Sequence, residues 1–316
     1  MPQPRLRASG RPRRDRRRSG GGGDPMRHED DRKPFVAPTV VKVGGALLDD
    51  PAARSDFLDR FADAFRSGTP LALVHGGGAA VDRHLDRIGA ETERRDGIRI
   101  TPPSLMPEIA AVLSGRVSTE LLADLRRRNV TSTALRLADD EGIVVERLNR
   151  AFDPGSVGTV TGGRATLFDD LIATGRVPVI ASIGMLADGT PVNVNADDAA
   201  SGLARVLDAR ALLLLTDVPG VLDERGTVIR RLEPATVDRL IRDGVIAGGM
   251  VPKVRGAVDA ATRSGCPVVI GGWSDPAVLA DPLGETTVAT IVPPPTRSPA
   301  VEIVPTASHV SLQKSP

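Results

Sequence analysis

The chain of 316 residues has few of the residues that mark disulfide-rich, zinc-binding or membrane proteins. Its one cysteine, Cys266, excludes an internal disulfide and any cysteine-based metal site, and indicates a reducing compartment. Its four histidines show neither H-E-x-x-H nor Cys/His zinc spacing. No apolar run approaches the roughly 18 residues that cross a bilayer, and the Arg-rich N-terminus lacks the apolar segment of a secretory signal. We therefore expect a cytoplasmic protein without membrane contact, in which Cys266 is a buried, small apolar residue.

Net charge is also small, because 41 basic residues face 40 acidic ones. A formal charge of +1 argues against a dedicated nucleic-acid-binding protein. The positive charge is concentrated in residues 1–34, where eleven basic residues face five acidic ones, so residues 35–316 are mildly acidic. Like charges among Gly, Ser and Pro predict a disordered tail over residues 1–34, with Met26 as an alternative start, and residues 293–316 form a Pro-rich second tail. An Arg run can bind nucleic acid or an acidic surface, but we favour a solvated extension.

Lysine is scarce as well, since only four of the 41 basic residues are lysines. Two of them, Lys42 and Lys253, lie in the Gly-rich segments K-V-G-G and G-G-M-V-P-K. A third Gly-rich segment is V-H-G-G-G, and none of the three is a Walker A or G-x-G-x-x-G sequence. Glycine lets backbone N–H groups approach an anion, and lysine is a compact charge that can follow a moving phosphoryl group. We predict that Lys42 and Lys253 stabilise the transition state of a phosphoryl transfer.

Short β-branched runs alternate with amphipathic stretches between the two tails. This alternation predicts an α/β fold with a mainly parallel sheet covered by helices on both faces. Ligands of such sheets bind at the carboxyl ends of the strands, where the Gly-rich segments fall. The predicted strands are 39–43, 71–74, 177–183, 211–215, 268–270 and 288–292, and the predicted helices begin at Pro51 and after Gly78 and cover 105–128, 167–174, 196–207, 234–243 and 252–264, with short strands and hairpins over 134–164.

Three further polar features are candidates for the site. Arg99 lies in an extended segment and could bind a carboxylate through two hydrogen bonds of its guanidinium group. The alternative is a salt bridge at the rim of the site. The run N-V-N-A-D-D at 193–198 can bind a polar substrate and orient a lysine, or serve only as a helix cap. His75 ends a predicted strand and could be a base, but we favour a hydrogen bond to backbone.

Six motifs in order, K-V-G-G, V-H-G-G-G, G-I-R-I-T-P, N-V-N-A-D-D-A-A, L-L-T-D-V-P-G-V-L-D and G-G-M-V-P-K-V, resemble those of the N-acetyl-L-glutamate kinases of the amino-acid kinase family. The resemblance covers roughly residues 38–292. It implies an open three-layer αβα sandwich, with an N-lobe (35–183) for the acetylated amino acid and dimerisation and a C-lobe (184–292) for ATP. The implied reaction is phosphorylation of the γ-carboxylate of N-acetyl-L-glutamate, the second step of arginine biosynthesis.

The resemblance also implies roles for single residues. Lys42 and Lys253 would neutralise the transferring phosphoryl group, and Asp197 would hold both lysines in position. Arg99 would grip the substrate α-carboxylate, with Asn193 beside it. Mg²⁺ would be held by ATP phosphates and water rather than by protein ligands. Backbone contacts to the substrate would come from Gly77 and Gly78, and nucleotide contacts from Gly44, Gly45, Asp217, Val218, Gly220, Leu222, Gly249 and Met250.

Two other functions remain open from the sequence. One is a sister kinase for an acylated 2-aminoadipate or a carrier-linked glutamate, although the mildly acidic body does not favour an acidic carrier. The other is a non-catalytic sensor of nucleotide or amino acid. The presence of Lys42, Asp197 and Lys253 argues against such a sensor. Arginine-inhibited hexameric members of the family carry an N-terminal amphipathic helix and a C-terminal signature. Residues 1–34 have no apolar stripe and residues 283–288 differ from that signature, so we predict a homodimer insensitive to arginine.

Overall fold

The computed structural model describes residues 36–295 and is built around a seven-stranded sheet. The predicted tail over residues 1–34 lies outside the described residues, and the Pro-rich tail is described only as far as residue 295. No helix within residues 36–295 is long and apolar enough to cross a membrane.

The strands form two main sheets and one hairpin. The large sheet has the order β13-β12-β11-β1-β2-β8-β5, and every neighbouring pair is parallel except β12 and β13. A second sheet has the order β6-β7-β10-β9, and β3 pairs with β4. The strands are β1 Thr39–Val43, β2 Leu71–His75, β3 Arg94–Arg95, β4 Ile98–Arg99, β5 Ser132–Arg136, β6 Ile143–Arg147, β7 Val157–Gly163, β8 Val177–Ala181, β9 Ile183–Met185, β10 Pro191–Val194, β11 Ala211–Thr216, β12 Val268–Gly272 and β13 Ala289–Val292.

The helices and strands follow the predicted alternation with several differences, one of which is the short helix Ala277–Ala280, which the sequence did not predict. A short helix, α1, begins at the last glycine of the K-V-G-G segment, where the sequence predicted no helix. The predicted helix 105–128 contains a π-helical segment, Ala111–Val117, and the predicted strand 177–183 divides at Ser182 because β9 joins the second sheet. The helices are α1 Gly45–Asp49, α2 Pro51–Arg66, α3 Gly78–Arg87, α4 Met106–Ala110, α5 Ser118–Arg127, α6 Thr166–Ala173, α7 Ala196–Val206, α8 Val237–Arg242, α9 Met250–Ser264 and α10 Ala277–Ala280, with 3₁₀ turns at Pro103–Leu105, Leu137–Asp139 and Pro234–Thr236.

Local sequence explains helix α2 well. The Asp50 carboxylate accepts hydrogen bonds from two amides of the first turn, at 2.9 and 3.0 Å. Pro51 occupies the first helical position, where a backbone N–H would have no hydrogen-bond partner within the helix, so its absence costs nothing. Phe57 and Phe61 lie one turn apart and are both buried, and Gly68 follows the helix end with φ +87°. The helix therefore begins, packs and ends where the sequence predicts.

Alternate side chains of the strands fill two separate cores. Val41 of β1 lies in the core that also contains Phe61 of α2 and the buried faces of α3 to α5. Val40 points to the opposite face and lies in the core with Phe168 of α6, the alanines of α7 and α9, and the second sheet. Cys266 is buried in this second core, as predicted. The predicted α/β sandwich with helices on both faces is confirmed.

Candidate active site

A cavity of about 190 Å³ opens beside the carboxyl ends of β1 and β2. The turn after β1, the glycine turn after β2, the β3–β4 hairpin and the start of α7 enclose it. The strands are parallel, so their carboxyl ends meet at one edge and bring together segments that are far apart in the chain. The predicted site residues that line the cavity are Lys42, Gly44, Gly45, Gly77, Gly78, Arg99 and Asn193. Two of the four glycines expected at the nucleotide, Gly44 and Gly45, therefore lie in the same cavity as the residues expected at the substrate.

Lys42 is held at this cavity by an ion pair with Asp197. Because side chains alternate along β1, Lys42 points to the same face as Val40, which is the face covered by α7. Asp197 lies in the first turn of α7, and its amide donates to Asn195 Oδ1 at 2.8 Å. Lys42 Nζ lies 2.9 Å from Asp197 Oδ1, and its side chain is mostly buried. The ammonium is therefore aimed by a carboxylate that a helix cap keeps in place.

Lys253 has different partners. It lies on α9, and its Nζ donates to Thr216 Oγ1 at 2.7 Å, at the end of β11, and lies 3.4 Å from Asp217 Oδ1. The hydrogen bond from the Thr216 hydroxyl, then the backbone amide and Lys253, lower the pKa of Asp217. Within residues 36–295 Asp197 pairs with Lys42 and Lys253 pairs with Asp217, which differs from the single aspartate on both lysines that the resemblance implied.

The residues predicted at the nucleotide lie outside this cavity, apart from the two glycines named above. Gly220 has a packing reason to be glycine, since an added Cβ would lie 2.9 Å from Thr290 Oγ1. At the start of α9 the amides of Met250 and Val251 already donate to backbone carbonyls, and the next residue is a proline. An anion at this helix start would therefore be bound by the Lys253 ammonium rather than by free backbone amides. The predicted nucleotide-binding residues that do not line the cavity are Asp217, Val218, Gly220 and Leu222 after β11, and Gly249 and Met250 at the start of α9.

Two arginines of the β3–β4 hairpin lie at the cavity, of which the sequence predicted Arg99 but not Arg94. Arg94 and Arg99 are cross-strand partners, and both line the cavity. Arg99 Nη1 lies 2.6 Å from Asp82 Oδ1, and Arg94 Nη2 lies 3.0 Å from Asp82 Oδ2. Arg99 Nη2 also donates to Gly78 O at 3.1 Å. The Asp-Gly pair at residues 96 and 97, both with positive φ, is a strong hairpin signal, and it would have revealed that Arg94 faces Arg99.

The glycine turn after β2 packs tightly against the π-helical segment. An added Cβ at Gly77 would lie 2.8 Å from Leu113 Cδ2, in the π-helical segment.

His75, at the end of β2, is fully hydrogen-bonded inside the protein. His75 Nδ1 lies 2.9 Å from Gly76 O, and His75 Nε2 lies 3.0 Å from Ser118 Oγ. Burial lowers the pKa of His75 to about 4, so the ring is neutral at pH 7. The structure thus places His75 against backbone and a buried hydroxyl, which is the interpretation favoured from the sequence.

The chemistry of the cavity is cationic. Lys42, Arg94 and Arg99 all line it, together with six glycines and Asn193. In residues 36–295 no group of three or more His, Cys, Asp or Glu side chains is placed to hold a metal ion. Fixed cations at a concave site attract anions and stabilise charge that develops on a reacting group. The arrangement is suited to binding a small anion and to transferring a charged group.

Comparison with known proteins agrees with this geometry. Residues 37–272 match the model of the amino acid kinase family. An acetylglutamate kinase of Vibrio cholerae is 37% identical over 256 residues, which cover 81% of this chain and 97% of the relative. An acetylglutamate kinase of Serratia proteamaculans is 38% identical over 238 residues, which cover 75% and 91%. A Streptococcus mutans protein of solved structure aligns with a TM-score of 0.65 at 26% identity, over 81% of this chain and 98% of the other.

Proposed function

Because the chain belongs to the amino acid kinase family, we propose that it uses ATP to phosphorylate the γ-carboxylate of N-acetyl-L-glutamate, in arginine biosynthesis. The product is N-acetylglutamyl 5-phosphate. The observation that carries the proposal is the cationic cavity at the strand ends, in which Lys42 is paired with Asp197 and two arginines face each other on the hairpin. The acetylglutamate kinases similar to this chain support the choice of substrate.

The reaction joins two anions and needs no base. A γ-carboxylate oxygen attacks the γ-phosphorus of ATP, the bond from that phosphorus to the β,γ-bridging oxygen breaks, and ADP leaves with the electron pair. A glutamate side chain has a pKa of about 4.3, so the attacking oxygen is already ionised at pH 7. The protein has to hold the two reactants in line and offset their repulsion with fixed positive charge.

We assign the charge stabilisation to the two lysines. Lys42 is oriented by Asp197, and Lys253 is held by Thr216 and Asp217 at the end of β11. The residues fit an anionic ligand, because an added Cβ at Gly44 would lie only 3.0 Å from Lys42 Nζ. The glycine therefore leaves space beside the ammonium for a phosphate oxygen.

We assign the other residues to an amino-acid site and an ATP site. Arg99, with Arg94 beside it, binds the substrate α-carboxylate, and Gly77 and Gly78 complete the amino-acid site in an N-lobe of residues 35–183. Asn193 joins this site from the C-lobe, residues 184–292. The segments after β11 and before α9, in the C-lobe, bind ATP. Mg²⁺ would be held by ATP phosphates and water, since Asp197 and Asp217 are each paired with a lysine, and it would neutralise phosphate charge.

A hydroxamate assay for acyl phosphate tests the proposal. N-acetylglutamate is expected to give an ATP-dependent product, with much less from glutamate, aspartate and N-acetyl-2-aminoadipate. Lys253→Ala is expected to lower kcat by about 100-fold or more, in the range lost when one charge-stabilising group is removed. Arg255→Ala is the matched control, since Arg255 is an exposed residue on the same helix. No product from N-acetylglutamate would reject the kinase, and a near-normal Lys253→Ala would reject the site assignment.

We also propose that the enzyme is a cytoplasmic homodimer whose activity does not respond to arginine. The proposal rests on residues 283–288, which differ from the signature of arginine-inhibited family members, and on the lack of an apolar stripe in residues 1–34. Light scattering should give the mass of two chains, and activity at millimolar arginine should equal that without it. A hexamer or a clear inhibition would contradict the proposal.

A further inference from the structure

An ion pair outside the cavity joins the two helices that carry charged residues of the site. Asp198 directly follows Asp197 on α7, and Arg263 lies on α9 with Lys253. Arg263 Nη2 donates to Asp198 Oδ1 and also lies 2.8 Å from Asp259 Oδ2 on its own helix. We propose that Arg263 and Asp198 are a positioning pair that keeps α7 and α9 in the relative placement needed for phosphoryl transfer.

The geometry of a helix connects this pair to the active site. Successive residues on a helix point about 100° apart, since 3.6 residues complete one turn. Asp197 faces Lys42, so its neighbour Asp198 faces another direction, in which it meets Arg263 of α9. Asp198 is 16% exposed, and a fixed Asp198 therefore restrains the rotation of the first turn of α7 and the direction of the Asp197 carboxylate.

The buried residues that α7 and α9 contribute to their shared core are mostly alanines, with Leu203 on α7 and Val254 on α9. The Arg263–Asp198 pair is a directional contact in this region. The buried alanines that α7 and α9 contribute to the same core are Ala199, Ala200 and Ala204 on α7, and Ala257, Ala260 and Ala261 on α9.

A purely stabilising role predicts a different outcome. A partly exposed ion pair contributes little net free energy of unfolding, and an acidic residue in a first turn is favourable without any arginine. A positioning role instead predicts a loss of rate, because Lys42 and Lys253 approach the phosphoryl group from β1 and from α9. A displacement of about 1 Å can cost about 100-fold in rate. The inference rests on the proposed function, since it concerns the placement of these lysines.

Steady-state kinetics of matched variants test the pair. Asp198→Asn and Arg263→Met are each expected to lower kcat about tenfold, with KM for N-acetylglutamate within about twofold of wild type. Arg263→Lys keeps the charge and the stem and is expected to recover most of the lost kcat. Asp259→Asn is the control, because it removes the partner of Arg263 on its own helix and leaves the contact between helices; its kcat is expected within about twofold of wild type.

The outcomes separate the two proposals. A wild-type enzyme without activity on N-acetylglutamate would overturn the proposed function and the positioning pair together. An active wild type with unchanged kcat in Asp198→Asn and Arg263→Met would overturn the pair alone. Equal losses in Asp259→Asn, or losses that follow only a fall in Tm, would show that Arg263 stabilises α9 and would also overturn the pair.

Discussion

The ion pair between Lys42 and Asp197 leads to a graded prediction. Its atoms are 2.9 Å apart, the lysine is mostly buried and the aspartate is 52% exposed. At this distance two unit charges attract by about 5–6 kcal/mol at an effective dielectric constant of 20, and by about 1.4 kcal/mol in water. Because half of the carboxylate is in contact with water, the lower part of this range applies. We therefore predict the effect of substitutions at Asp197 from the difference in free energy between a hydrogen bond to a charged group and one between neutral groups.

A hydrogen bond to a charged group contributes about 1.5–3 kcal/mol, and one between neutral groups about 0.5–1.5 kcal/mol. Asp197→Asn keeps an acceptor oxygen and loses the charge, so it forfeits about 1–1.5 kcal/mol of the force that aims Lys42. If that loss appears in the transition state, kcat falls about tenfold. Asp197→Ala removes the acceptor as well and forfeits up to about 3 kcal/mol, which corresponds to about 100-fold.

The assay measures kcat with both substrates saturating and the melting temperature of each variant. Asp238→Asn is the control, because Asp238 is an exposed residue that pairs with Arg255 at 3.5 Å, and its kcat should stay within about twofold of wild type. A normal kcat in Asp197→Ala would refute the role of Asp197 in aiming Lys42. Equal losses in the Asn and Ala variants would refute the division between charge and hydrogen bond.

Three further perturbations test other parts of the structure. Gly77→Ala would place a Cβ 2.8 Å from a buried leucine side chain, so Tm should fall by the equivalent of about 1–3 kcal/mol and KM for N-acetylglutamate should rise; unchanged values of both would contradict the packing argument. Gly256→Ala, in α9 with nothing within 4 Å of the added Cβ, should stabilise by up to about 1 kcal/mol and raise Tm by about 2–4 °C, as calorimetry can check. Burial opposes ionisation of Asp82, but Arg99 and Arg94 hold its pKa below the ordinary value. Its contribution to stability is therefore present above the unfolded-state pKa of about 3.9 and is lost as pH falls through the lower folded-state pKa; denaturation of Asp82→Asn should show a deficit at pH 7 that disappears in acid, and a deficit independent of pH would contradict the shift.

Much of the fold is predictable because the signals are local. The apolar runs of β1, β2 and β11 have the length and the continuous apolar composition of buried strands, and Asp50, Pro51 and Gly68 define the ends of α2. Their alternation along the chain leads to a parallel sheet with helices on both faces. The scarcity of lysine is equally local information, and it singles out two residues, Lys42 and Lys253, that the fold places at the carboxyl ends of β1 and beside β11.

Other parts of the site depend on pairings between distant segments. Asp82 and Arg263 look like ordinary surface residues in a chain rich in aspartate and arginine, and nothing in their neighbourhoods marks their partners. The family resemblance implied one aspartate for both Lys42 and Lys253, whereas the structure pairs each of these lysines with a different carboxylate. Gly220 is close to a residue far along the chain, since an added Cβ would lie 2.9 Å from Thr290 Oγ1.

The sequence by itself determined the elements, the α/β class and the residue types that a phosphoryl transfer needs, because hydrophobic period, helix caps and charge are written in neighbouring residues. Only the tertiary structure decided the strand order, the cavity and the partner of each charge. The physical reason is that β-sheet hydrogen bonds and ion pairs join atoms near in space and far apart in the chain. Which aspartate meets which cation therefore depends on how α7, α9 and the β3–β4 hairpin pack on the sheet.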